Sequence, residues 1–211
     1  MLTLRSLTAV LLSTAALTST AHAATGLGAE LILGVAGEAE ADEISCNAGC
    51  TGSQALSDED LEKNYGIAAT YERAVRKDLR IGVRASYLVG QGDDTDQDLA
   101  SLAVGAWGRY LVPVGRATLH VGADLGPSYV TSEATVFGVS MDFAGVGLHA
   151  VVGGGVSLPI ADGVEFRGGL YYSYEMVGSL EADDTVQGTA IELEIEDTVA
   201  TRVLISAGLA F

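Results

Sequence analysis

Apolar and polar residues alternate with a period of two in eight separate stretches of the chain. The first stretch puts Leu27, Ala29, Leu31, Leu33 and Val35 on one parity, the second Tyr65, Ile67, Ala69 and Tyr71. The third has Leu79, Ile81, Val83, Ala85, Tyr87 and Val89, and the fourth Leu102, Val104, Ala106 and Tyr110. Leu119, Val121, Ala123, Leu125 and Tyr129 make the fifth; Val146, Leu148, Ala150, Val152, Val156 and Leu158 the sixth. The seventh carries Val164, Phe166, Leu170, Tyr172, Tyr174 and Met176. The eighth carries Val199, Thr201, Val203, Ile205, Ala207, Leu209 and Phe211. Successive side chains of a strand point to opposite faces, so this period predicts eight strands. The sixth stretch lies in a charge-free run, 143–161, long enough for a membrane helix. Its glycines, Pro159 and its alternation favour a strand.

The opposite parity is polar, with Glu30, Glu72, Arg80, Arg84, Arg109, His120, Asp124, His149, Glu165, Arg167, Glu175 and Arg202 set among glycines. Trp107 also falls there, and either plugs one end or is turned out by a bulge. No charge enters the apolar parity of the eight cores. A soluble sandwich alternates in the same way, so the connections have to decide. They run long and short in turn: 39–63, 90–98, 131–142 and 177–197 are long, and 74–78, 112–116 and 159–163 are short. The short ones hold turn residues, Pro113 with Gly115 and Pro159 with Asp162-Gly163.

Charge sorts with loop length. Residues 38–62, 91–98, 131–142 and 177–197 hold 21 of the 28 acidic residues and no Lys or Arg, whereas the short turns hold Arg76, Lys77 and Arg116. Two different aqueous sides explain that sorting, as in an outer-membrane barrel with long external loops and short periplasmic turns. Lipid leaves backbone groups unsatisfied, so spanning strands must close on one another. The fold expected is all-β, an eight-stranded antiparallel up-and-down transmembrane β-barrel over residues 24–211. Residues 1–23, with Arg5, a short apolar stretch and Ala21-His22-Ala23, are expected to be a cleaved signal peptide. The net charge of −17 argues against a nucleic-acid partner.

The last strand, ending Val203, Ile205, Ala207, Leu209 and Phe211 on one face, resembles the C-terminal signature of bacterial outer-membrane proteins. In pattern the chain is similar to the small eight-stranded barrels, the OmpA-transmembrane-domain-like and Opa/OmpX-like class. The resemblance implies that Phe211 is an assembly signal read by the barrel-assembly machinery. It also implies an outer-membrane location, with lipid and lipopolysaccharide as surroundings.

An eight-stranded barrel is just wide enough for its own side chains. The enclosed charges are therefore expected to pair, Arg80, Arg84, Arg109, Arg167 and Arg202 with Glu30, Asp124, Glu165 and Glu175, because an isolated buried charge costs several kcal/mol. A narrow or gated pore is the alternative. A lipid-modifying barrel enzyme ranks third: His120 and His149 both point inward and no Ser–His–acid set converges. The 145–150 match to a glycine-rich dinucleotide pattern lacks its helix and carries nothing. Cys46 and Cys50, in the first long connection, are expected to form a local disulfide in an oxidising compartment. Asp94, Asp96 and Asp98 imitate the start of a calcium loop without its glycine and distal glutamate; the expectation is no cofactor beyond weak Ca²⁺ or Mg²⁺ at the acidic loops. Ile191, Leu193 and Ile195 keep the numerical phase of the last strand, so it is expected to project beyond the membrane beside 177–180 as a contact surface with an edge for strand addition.

Overall fold

A computed structural model describes residues 25–41, 43–48, 53–55, 59–92, 98–136, 139–186 and 189–211. Ten strands occur among them. They are β1 (Thr25–Glu40), β2 (Glu43–Ala48), β3 (Ser53–Ala55), β4 (Glu59–Ala74) and β5 (Leu79–Gly92). They continue with β6 (Asp98–Val114), β7 (Ala117–Val136), β8 (Val139–Ala161), β9 (Val164–Val186) and β10 (Thr189–Ala210). Eight of them form an antiparallel ring in the order β1-β4-β5-β6-β7-β8-β9-β10, closed by pairing of β10 with β1. At the seam the backbones of Leu27 and Phe211 exchange two hydrogen bonds, of 3.0 and 2.8 Å. Every ring strand therefore has two neighbours, which is what a segment in hydrocarbon requires.

The short turns are tight. Gly115-Arg116 joins β6 to β7 and Asp162-Gly163 joins β8 to β9. Gly115 and Gly163 have φ of 62° and 73°, a left-handed conformation that only glycine adopts without strain.

Alternation places the apolar parity outside. Leu31 is 67% exposed, Val121 61% and Val146 71%, and Tyr65, Tyr71, Tyr110, Tyr129 and Tyr172 join them. A water-soluble protein does not leave so continuous an apolar face uncovered; around a closed ring, it is a surface for lipid. Inside lies an apolar layer of Ile32, Ala68, Leu88, Trp107, Val151, Tyr171 and Leu204, drawn from seven of the eight ring strands. Trp107 is thus turned inward and takes part in this layer rather than facing lipid.

The long-loop end differs from the sequence expectation in two respects. The stretch 39–63 is not wholly loop. β2 and β3 form a hairpin, and β2 pairs with the projecting part of β10 through Ile195↔Ile44 and Leu193↔Cys46. The edge expected to be open for strand addition is therefore occupied by the chain itself over Glu192–Ile195. The second correction concerns facing. Leu193 and Ile195 are buried, and so are Thr198, Ala200 and Arg202, so the inward parity changes across Glu196-Asp197, both exposed. β9 changes at the same level, from Val177 to Leu180 and Ala182. Relative to β8, β9 carries one extra residue between the pairs Ala144↔Glu181 and Gly147↔Val177. Because β9 and β10 keep one register throughout, both faces invert together. In β10 the change of face coincides with Asp197, whose φ is 49°. The inversion carries the hairpin's apolar side over the barrel mouth, where Leu180, Leu193 and Ile195 pack with Leu61, Leu99, Val130 and the fully buried Phe143.

Candidate functional site

The polar parity of the ring converges in the lumen as three connected groups. Towards the short-turn end, Glu72 on β4 is completely enclosed. Its carboxylate accepts from Arg109 Nε at 2.7 Å and, through the other oxygen, from Arg167. Arg109 also donates to Ser157 Oγ at 3.4 Å. Arg167 lies 3.7 Å from Glu165, which is part-exposed at the mouth. One carboxylate held by two guanidiniums from β6 and β9 ties opposite sides of the ring together.

At mid-height Arg84 on β5 lies between Glu30 (3.7 Å) and Asp124 (3.9 Å). Its guanidinium also sits 5.6 Å from the Trp107 ring centre and 5.7 Å from that of Tyr171, within range of a cation–π contact. Asp124 Oδ2 is 3.1 Å from His149 Nε2, and His149 Nδ1 is 3.0 Å from the Gly126 carbonyl. Gly105 makes room for this group, since a β-carbon there would sit 2.0 Å from Asp124 Oδ1. Above it, Glu175 accepts from Ser101 Oγ at 2.6 Å and from Arg202 Nη1 at 3.1 Å.

A cavity of about 10 Å³, bounded by Arg84, His149, Ser101 and Glu175 among others, has room for a single water. A wider recess of about 210 Å³ opens at the short-turn mouth.

Of the residues singled out from the sequence, Glu30, Arg84, Asp124, Arg109, Arg167, Glu165, Glu175 and Arg202 all make ion pairs in the lumen or at its mouth. Arg80 stands at the mouth with no ion pair among the described residues. Glu72 was placed inside by parity but not among the expected carboxylate partners, and it is the pivot. The signal for it was Thr70-Tyr71-Glu72, in which the tyrosine takes the outward face and leaves the acid no other. Tyr171, whose hydroxyl is 3.0 Å from His120 Nε2, was also missed. In Tyr171-Tyr172 only one ring can face lipid. Neither histidine lies in a Ser–His–acid relay: His120 is engaged by Tyr171 and His149 by Asp124 and Gly126.

Cys46 lies on β2 against the apolar cap, while Cys50 lies outside the described residues. Asp94 and Asp96 do as well, and Asp98 opens β6 opposite Gln91 and Glu133. No group of three potential metal ligands occurs among the described residues.

The closed ring and its apolar belt define an eight-stranded transmembrane β-barrel. No family profile and no curated protein matches the sequence. Solved structures of similar fold include Neisserial surface protein A, at 19% identity and a TM-score of 0.48, over 88% of this chain and 95% of that one. They include Ail, the attachment invasion locus protein of Yersinia pestis, at 13% identity and 0.44, over 88% and 99%. A third is the outer membrane protein OprG from Pseudomonas aeruginosa, at 14% and 0.43, over 87% and 96%.

Proposed function

We infer that this chain is an integral outer-membrane protein whose lumen is sealed and whose work is done at the cell surface, as a structural or contact element without chemistry. The observation that carries the reading is the lumen itself. Among the described residues, three ion-paired groups, an apolar layer and the apolar cap occupy the lumen around a cavity of about 10 Å³. Desolvated ions in such a space are held by their partners and leave no continuous water path. The acidic long connections would face outward, where divalent cations could bridge Asp94, Asp96 and Asp98 to anionic lipopolysaccharide. A Cys46–Cys50 disulfide would fasten the β2–β3 hairpin, Phe211 would serve recognition by the barrel-assembly machinery, and residues 1–23 would direct export.

Planar-bilayer recording of the refolded protein tests the reading. Silence is expected across a range of voltages. Reproducible unitary steps that disappear on heat denaturation would overturn it in favour of a small channel. An altered lipid A acyl profile on expression would instead favour the enzyme.

A further inference from the structure

The short-turn mouth contains an unbalanced group of cations. Arg80 on β5 stands directly opposite Arg109 on β6 in the strand register, both on the inward face. Like charges directly opposed across a ladder destabilise it. Arg109 is satisfied by Glu72, and Glu72 is shared with Arg167. Arg80 has no salt-bridge partner among the described residues, and Lys77 lies three residues away in the adjoining turn. Four cations, Lys77, Arg80, Arg109 and Arg167, thus gather here with three carboxylates: Glu72 and Glu165, both already engaged by arginines, and Asp78 of the turn, which Tyr110 engages.

The recess of about 210 Å³ is built on this surplus. Lys77, Arg80 and Arg109 line it with Thr118, Ser157 and one acid, Glu165, which Arg167 approaches to 3.7 Å. Leu111 and Pro113 supply an apolar wall. Guanidiniums and hydroxyls converging on a pocket open to water suit an oxyanion, which accepts from several donors at once. We propose that this recess is a binding site for a phosphate-type oxyanion, entering from the short-turn side and neutralising the opposed Arg80–Arg109 pair. The apolar wall accommodates an organic group attached to that phosphate. The site lies at the mouth, so it stands or falls independently of whether the lumen conducts.

The test uses the refolded barrel in an uncharged detergent, titrated with inorganic phosphate against chloride at matched ionic strength, and read by unfolding midpoint and calorimetry. A ligand that binds only the folded state raises the midpoint. Parallel nanodiscs of phosphatidylcholine, with and without phosphatidylglycerol, separate a lipid phosphodiester from a free anion. The expected result is a midpoint gain, from phosphate or from phosphatidylglycerol, that Arg80→Gln weakens by about tenfold or more in affinity, as loss of a charge-assisted contact would. Lys77→Gln should weaken it as well, and Arg116→Gln, in the turn outside the recess, should not. Without anion, Arg80→Gln should be at least as stable as the parent, because a like-charge opposition is gone. The proposal is overturned if neither source gives an Arg80-dependent gain. Equal weakening by Arg116→Gln, or destabilisation by Arg80→Gln in the absence of anion, would overturn it as well.

Discussion

Glu72 and Trp107 show how much of the interior rests on single side chains. Removing Glu72 leaves the buried guanidiniums of Arg109 and Arg167 without the carboxylate they share. Glu72→Ala should lower folding stability by about 3–5 kcal/mol, the usual cost of breaking a buried pair from one side. Replacing all three residues with leucine should recover most of that loss, since apolar substitutes avoid the desolvation penalty. Urea midpoints in detergent or liposomes, compared across the two variants, check both expectations. Trp107 is the only tryptophan, so its emission reports on the layer it joins with Tyr171, whose ring centre is 6.3 Å away. The indole lies across Gly122 of β7, where a β-carbon would come within 2.6 Å of it. Emission from the folded protein should be blue-shifted and resistant to acrylamide, and Gly122→Ala should shift it to the red and admit the quencher. Unchanged emission in that variant would mean that the ring does not rest on Gly122.

At the scale of elements, the ring strands and their lipid face were legible in the alternation, because lipid on one side and a tight lumen on the other enforce it at every position. The tops of β9 and β10 were not. Ile191, Leu193 and Ile195 share odd numbers with Val203 and Ile205, and nothing in the count reveals that the strand changes face near Asp197. The signal was local, two consecutive acids at Glu196-Asp197; in β9 the apolar residues stay on even numbers from Met176 through Leu180 and Ala182, so the count hides the turn there as well. Pairing of β2 with β10 was illegible for a different reason. A six-residue strand in an acidic connection has no periodicity long enough to stand out, and its partner lies far away in sequence. Within the lumen, parity identified which charges were enclosed; which pairs form depends on stagger around the ring, which one strand cannot report. The Asp197 position can be tested by its backbone. Asp197→Gly should leave stability unchanged or raise it, whereas Asp197→Val should cost about 1–2 kcal/mol, the penalty for a side chain held in the left-handed region. Equal midpoints for the two variants would show that Asp197 is free of that constraint.

For the whole molecule, the defining event is closure, which joins the first and last ring strands, β1 and β10, with Leu27 and Phe211 at one end of the seam. If Phe211 matters for targeting, Phe211→Ala should reduce the folded, heat-modifiable species in cells while the purified variant refolds in detergent at nearly the parental yield. The two would be compared as compact and heat-extended bands on electrophoresis. Equal losses in both settings would assign Phe211 to the stability of the seam instead.

The strand that caps the projecting hairpin has a consequence for life in a crowded bilayer. With β2 zipped to β10, the outer edge of the extension on that side is β3, three residues long among the described residues. A rim so short cannot template a neighbouring copy. Packed side by side, such molecules would not set into filaments through that edge.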